Sequence, residues 1–253
     1  MSLILLRTHG GLGNQIFQTY FALCCKFQYE FERVVCLHDD RYHHRFKADS
    51  QLQRISDRAT LGEIVLSAIR IPKLARRIFR LDREFVDFGG VRVLDGYFQD
   101  KTSYEQFSIE SKSKALSQLR LLMEIREASA ASARRLEHIR LGDFFSNQSA
   151  EEEAARAILR KITSDSDIIT NNEPLVRSLC AETDLSCELN ILPTENMSGN
   201  ELLHLMGQYE EISSNNSTLA LWSALLYGRT LRLKSALLED FYHSEKTAML
   251  SSI

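Results

Sequence analysis

The stretch SLILLRTHGGLGNQIFQTYFALCCKFQYEFERVVCL, residues 2–37, decides the fold class of this chain. Ser2–Arg7 is a short apolar run that stops at Gly10-Gly11, as a buried strand does. From Gln15 to Tyr29 the apolar residues Ile16, Phe17, Tyr20, Leu23 and Phe27 recur at helical spacing. Val34–Leu37 is a second buried strand. Strand, glycine turn, helix and strand in that order imply a parallel sheet with crossover helices, and so an α/β protein. The glycines of His9-Gly10-Gly11-Leu12-Gly13-Asn14-Gln15 let the backbone turn tightly and bring a ligand near a helix N-terminus, where free N–H groups favour anions. Read alone, the same segment is equally a packing turn at a β–α junction. A dinucleotide fingerprint needs a third glycine where Ile16 stands, although Asp39 after the second strand could serve a ribose.

Outward from this opening, Leu61–Asp82 reads as helical with a break at Pro72, and Val91–Leu94 as a strand ending at Asp95-Gly96. Ile109–Glu127 is an amphipathic helix, and the small residues of Ala128–Ala133 suit a link between two lobes. The alternation then restarts. Arg135–Ile139 is a strand, Ala150–Lys161 a helix with an acid-rich start, Ile168–Thr170 a strand and Glu173–Ala181 a helix. Cys187–Leu192 is a strand, Gly199–Tyr209 a helix, Glu211–Ser214 a strand and Leu219–Tyr227 a helix. Two successive α/β runs predict two Rossmann-like lobes, residues 1–130 and 131–253, with a cleft between them.

Composition removes several function classes. At 253 residues with 44% apolar and 26% charged side chains, the chain has ample core and no disorder signature. A net charge of −3 lacks the basic footprint of a nucleic-acid binder. The cysteines, Cys24, Cys25, Cys36, Cys180 and Cys187, are odd in number and form no CxxC pair, so they read as buried free thiols in a reducing compartment, with no metal site. The apolar start before Arg7 is too short for a signal h-region, and no stretch reaches the length of a spanning helix. A cytoplasmic protein is expected, and the sequons at Asn147, Asn196, Asn215 and Asn216 are then idle.

Three further segments carry chemistry. Leu94-Asp95-Gly96-Tyr97-Phe98-Gln99 is a strand end, a glycine turn and two aromatics that suit packing. His138-Ile139-Arg140-Leu141-Gly142-Asp143 sets a guanidinium at the carboxyl edge of a parallel sheet, where its planar fork matches phosphate oxygens. Asp143 could orient Arg140 or cap the segment that follows, although without further context a surface Arg–Asp pair is the favoured reading of the two residues. Ile212-Ser213-Ser214-Asn215-Asn216-Ser217-Thr218 follows a strand and precedes an apolar helix carrying Trp222. It offers more hydrogen-bonding side chains than a helix cap requires.

Taken in order, these segments resemble the bacterial α-1,2-fucosyltransferase family. The family's GGLGNQxFQ matches Gly10 to Gln18, its GYFQ matches Gly96 to Gln99, its HxRRGD corresponds to His138 through Asp143, and its late Asn-Ser-Thr segment to Asn216 through Trp222. Ile168-Ile169-Thr170-Asn171-Asn172-Glu173 takes the place of Phe-Ser-Asp-Asp. Leu141 stands where the family pattern has its second arginine.

The resemblance implies a GT-B-like fold whose N-terminal lobe faces the acceptor and whose C-terminal lobe holds the nucleotide sugar. It implies inverting, metal-independent transfer of L-fucose from GDP-fucose to a sugar hydroxyl of an oligosaccharide or lipid-linked glycan, in surface-polysaccharide or O-antigen synthesis, with no cofactor. Arg140 then binds the donor pyrophosphate with Asp143 beside it, and His138, Asn172, Glu173, Asn216, Ser217 and Thr218 contribute to the donor site. Gly11, Gly13, Asn14 and Gln15 add to it from the first lobe. A preorganised Arg140 supplies stabilisation of the departing diphosphate on the order of 3 kcal/mol. Another GDP-linked 6-deoxyhexose such as colitose is an alternative donor. An NAD-binding oxidoreductase using Gly11, Gly13 and Asp39, and a non-catalytic sugar-nucleotide binder, are the alternatives from other classes. His9, His138, Asp95 and Asp143 are nominal general bases, none favoured. The basic run Arg70, Lys73, Arg76, Arg77, Arg80 and Arg83 reads as a solvated helix face, or as peripheral contact with the inner face of the cytoplasmic membrane.

Overall fold

A computed structural model describes residues 2–38, 51–55, 85–88, 90–125, 132–141, 148–182 and 189–250. The expected helix Leu61–Asp82, the basic run Arg70–Arg83, Asp39, residues 128–131 of the linking stretch, Gly142, Asp143 and Cys187 lie outside the described residues. The chain forms two compact units, Met1–Ile125 with Ser244–Ile253, and Arg126–His243. Residues 244–253, expected with the second lobe, thus belong to the first unit.

The first unit opens with β1 (Leu3–Thr8), α1 (Leu12–Gln28) and β2 (Arg33–His38). It continues with β3 (Phe85–Phe88), β4 (Val91–Leu94) and α2 (Ile109–Leu122). Its sheet has the order β2-β1-β4-β3, with β1 parallel to both β2 and β4, and β3 antiparallel to β4. Strand β3 has no counterpart in the sequence expectation. Helix α1 packs on β1 and on α2, and buries Ile16, Phe17, Tyr20, Phe21 and Leu23. Phe21 stacks on Phe98 at 4.1 Å, so Phe98 is core as packing predicts. Leu3, Leu5 and Val35 pack together in a separate cluster.

Helix α2 ends at Leu122, short of the expected Glu127. Ile125 N–H donates to Arg120 O and Glu124 N–H to Leu121 O, with Glu124 at φ +53°. This is a left-handed C-terminal stop made without glycine, so composition gives no sign of it. The first unit is also tied by a buried ion pair, Lys112 Nζ to Glu245 Oε1 at 2.8 Å, with Tyr20 Oη donating to Glu245 Oε2 at 2.6 Å.

The second unit runs β5 (Ser132–Ile139), α3 (Gln148–Leu159), β6 (Ser166–Thr170), α4 (Glu173–Glu182) and β7 (Asn190–Ile191). It continues with α5 (Gly199–Met206), β8 (Tyr209–Ser214), α6 (Thr218–Tyr227), β9 (Thr230–Leu233) and α7 (Ala236–Leu250). The division between the units falls within α7, at His243–Ser244. The sheet order is β7-β6-β5-β8-β9, with every pairing parallel. In chain order this reads 3-2-1-4-5, the doubly wound nucleotide-binding arrangement. The α/β class and the Rossmann-like winding of this unit therefore stand on the strand order itself.

Helices α3 and α4 cover one face over Ile139, Leu141 and Ile168. On the other face, α5 and α6 lie against β8. Along β8 and β9, buried Ile212, Ser214, Leu231 and Leu233 alternate with more exposed Glu211, Ser213, Thr230 and Arg232, the period of a sheet covered on one side. Two expected elements are shorter than read. The helix from Gly199 is capped at Gly207, leaving Tyr209 to begin β8, and of Cys187–Leu192 only Asn190–Ile191 is strand. Among the described residues no helix is long and apolar enough to cross a membrane.

Candidate functional site

The strand order of the second unit reverses between β5 and β8, with β6 on the other side of β5. In such a sheet a ligand binds in the crevice outside the carboxyl ends at this switch point. Three residues stand first beyond the three strands there: Arg140 after β5, Asn171 after β6 and Asn215 after β8. Asn215 Oδ1 accepts from Arg140 N–H at 3.0 Å, and its Nδ2 donates to Arg140 O at 2.5 Å. Asn171 Oδ1 accepts from Leu141 N–H at 2.8 Å, and its Nδ2 donates to Leu141 O at 2.7 Å. Each carboxamide thus takes the place of a neighbouring peptide group, and β5 continues past its last backbone rung for two residues.

This clasp preserves the strand's alternation of faces. Leu141 joins Ile139 in the core cluster beneath α3 and α4 and is fully buried. The position where the family pattern carries a second arginine is therefore a packing position in this chain. Arg140, between Ile139 and Leu141, is half-buried at the sheet edge. His138 is buried, with Nδ1 3.4 Å from Ser214 Oγ. Burial, with the Arg140 charge second, pushes its imidazole pKa down to about 3. At neutral pH His138 is an uncharged, weakly basic group inside the sheet, unsuited to attract phosphate or to accept a proton from an acceptor hydroxyl.

The other residues expected at the donor site divide by what the start of each helix demands. Ser217 is fully buried and its hydroxyl caps α6 by accepting from Ala220 N–H at 3.2 Å, while Asn216 and Thr218 are half-buried beside it. The N-terminus of α6 therefore opens on the same sheet edge as Arg140, with a dipole that favours anions. Asn172 Oδ1 accepts from Leu175 N–H at 3.2 Å, and Glu173 Oε1 pairs with Arg177 Nη2 at 2.6 Å. Both side chains thus serve the first turn of α4. Spacing and composition do not single out Asn171 and Asn215, which stand beside the expected donor-site residues Asn172 and Asn216. Their signal is positional: an asparagine as the first residue after both strands that flank the Arg-bearing strand.

In the first unit the same rule points to the carboxyl ends of β1 and β4. Gly10 lies at φ +79°, and a Cβ there would meet Asn14 Nδ2 at 2.8 Å, so this turn requires glycine. Gln15 Nε2 donates to Gly10 O at 2.9 Å, and Gln18 Oε1 accepts from His9 N–H at 3.0 Å. Both are buried and hold the turn from below. Asn14 Oδ1 accepts from Gln99 Nε2 at 2.9 Å, which joins the first glycine motif to the GYFQ segment. Gly11 is the N-cap of α1 and Gly13 is buried in its first turn. Of the nominal bases here, His9 is buried with Nδ1 3.3 Å from Gln18 Nε2, and Asp95 pairs with Arg7 at 3.1 Å. Tyr97, which packing would bury, keeps 37% exposure with its ring edge on His9.

No protein-family model matches the chain, and no curated protein matches it. Among solved structures, it is similar to fucosyltransferase NodZ from Bradyrhizobium, at 12% identity and TM-score 0.47 over 89% of this chain and 93% of that one. It is similar to a FUT1 variant of Arabidopsis thaliana in complex with GDP, at 10% identity and TM-score 0.48, over 92% of this chain and 70% of that one. It is also similar to the E. coli heptosyltransferase WaaC, at 11% identity and TM-score 0.45, over 99% and 98% of the two chains.

Proposed function

We propose that this chain is an inverting glycosyltransferase that moves L-fucose from GDP-fucose to a sugar hydroxyl, with α-1,2 linkage, in bacterial surface-polysaccharide assembly. One observation carries the reading. Arg140, the motif arginine, stands at the switch point of a doubly wound parallel sheet, its backbone clasped by Asn215 and that of the next residue, Leu141, by Asn171, with the N-terminus of α6 on the same edge. The donor and the linkage are what the resemblance of the four ordered motifs to the α-1,2-fucosyltransferase family implies.

In this reaction the acceptor oxygen attacks C1 of the fucosyl group from the side opposite the diphosphate. The C1–O bond breaks with its electron pair passing to the β-phosphate oxygen, and the acceptor proton leaves to a base. Arg140 would meet the growing charge on the diphosphate with two parallel N–H groups, which does the work of a cation without a metal. The α6 N-terminus adds a partial positive charge, and Asn216 and Thr218 offer hydrogen bonds to donor oxygens. The first unit would serve the acceptor. The place of action is cytoplasmic, at the inner face of the membrane where a lipid-linked glycan resides.

The test is GDP release from GDP-fucose and from other GDP-6-deoxyhexoses, with an array of oligosaccharide acceptors. Acceptor-dependent release from GDP-fucose supports the reading, and release from another GDP-sugar alone would transfer it to that donor. GDP binding without release from any donor would make the chain a binder rather than an enzyme.

A further inference from the structure

We infer that Asn171 and Asn215 are positioning residues for Arg140: their side-chain amides substitute for strands that have ended, and so fix the arginine before any ligand arrives. The inference rests on the reading of Arg140 as the diphosphate-binding group.

Backbone register carries β5 to Ile139 against Thr170 of β6, and to His138 against Ser214 of β8. Beyond these rungs both neighbours turn away, into α4 at Glu173 and into α6 at Thr218. The ladders with β6 and β8 supply no further rung to Arg140 and Leu141, and a strand end without rungs tends to fray. A carboxamide holds one acceptor and one donor in a plane, spaced as in a peptide. Each asparagine uses both on a single residue: Asn215 on Arg140, from the β8 side, and Asn171 on Leu141, from the β6 side. Successive residues of a strand present their polar groups to opposite sides, so the two clasps together reproduce a central-strand environment. Leu141 anchors the far side of Arg140 in the core.

Only asparagine fits this role. An aspartate can accept from the N–H but its ionised form repels the carbonyl. A serine cannot span both groups, and a glutamine carries them one methylene too far. Fixing the backbone at Arg140 fixes the point from which its side chain reaches, so less reorganisation remains as charge develops, which is where such donors gain their advantage.

The test uses the full chain and the variants N171A, N215A and N215D, with amide exchange at Arg140 and Leu141, GDP affinity, and transfer from GDP-fucose across pH. N215A should lose protection at Arg140 N–H and keep it at Leu141, and N171A the reverse. Each should weaken GDP binding roughly tenfold and lower turnover on the order of 10- to 100-fold. N215D separates positioning from structure. Its protonated carboxyl presents the same donor and acceptor as the amide, so its activity relative to the native chain should rise as pH falls, while the N215A ratio stays level. Should N215A fail to fold, N171A and the pH series of N215D carry the same comparison.

Native GDP affinity and turnover in both alanine variants, or an N215D ratio as level as that of N215A, would overturn the inference. A native chain that binds no GDP would instead overturn the reading of Arg140 on which it rests.

Discussion

Replacing His138 by asparagine should flatten the acid limb of the second unit's stability. His138 is 6% exposed, and burial together with the Arg140 charge lowers its pKa from 6.5 to about 3. Above the higher value neither state carries the proton, and the residue adds nothing to the pH dependence. Below it the unfolded chain binds a proton that the folded chain lacks, so stability falls with pH. The loss levels off near the lower value, where the folded imidazole also protonates. At about 1.4 kcal/mol per pKa unit, the loss reaches about 2 kcal/mol near pH 5. Glu137 works in the opposite direction: burial raises its carboxyl, and its cost appears as pH rises past the ordinary carboxylate range.

The native profile is therefore composite, and the difference between native and H138N isolates the imidazole. Asparagine keeps a polar atom near Ser214 and leaves a smaller side chain, a roughly constant loss of about 1–3 kcal/mol at any pH. Urea denaturation followed by the fluorescence of Trp222, buried in α6, measures the difference at neutral pH and at about pH 5. The native advantage should shrink by about 2 kcal/mol between them. An advantage that is the same at both pH values would refute the buried, neutral imidazole.

Other perturbations follow from single contacts. E245A leaves the Lys112 ammonium buried without its carboxylate and should cost roughly 3–5 kcal/mol by thermal or urea denaturation, while K112M/E245L costs much less than either single change. G10A forces an L-residue to φ +79° and a Cβ to within 2.8 Å of Asn14 Nδ2; the expected loss is about 1–3 kcal/mol, and a neutral effect would show that the turn relaxes freely. L141R puts an arginine where the resembled family's pattern has one but drives a guanidinium into the cluster of Ile139, Ile158 and Val176. Urea denaturation should show it destabilised by several kcal/mol and L141M by under about 1.5; a stable L141R that gains GDP affinity would place residue 141 in the site.

What was legible in the sequence followed from periodicity and punctuation. Strand β1, helix α1 and strand β2 were readable because apolar runs and a 3.6-residue pattern are separated by glycines. Strand β4 matched residue for residue. The elements after Gly228 escape a reading of the sequence for two different reasons. Strand β9 shows Thr230 and Arg232 on its uncovered face, so half of it reads as loop. In α7 the buried Leu238, Phe241, Tyr242 and Glu245 are spaced for a helix, a legible pattern whose deepest member is a charged residue paired with Lys112. The site was half legible. Arg140 was reachable from a strand end beside a glycine, but the asparagines that clasp it were not, because their partners are backbone groups 30 and 75 residues away. Within Asn171-Asn172 and Asn215-Asn216, composition cannot say which member turns toward the strand and which toward the helix.

If Arg140 receives a nucleoside diphosphate at the switch point of the second unit, its removal must take most of the GDP affinity with it. The most direct measurement is calorimetric titration of GDP into the native chain and into R140A, with circular dichroism confirming that both are folded. The native chain should bind GDP, with UDP and NAD far weaker, and R140A should lose affinity on the order of 100-fold. Equal GDP affinity in the two proteins, or native binding of NAD in place of GDP, would contradict this reading.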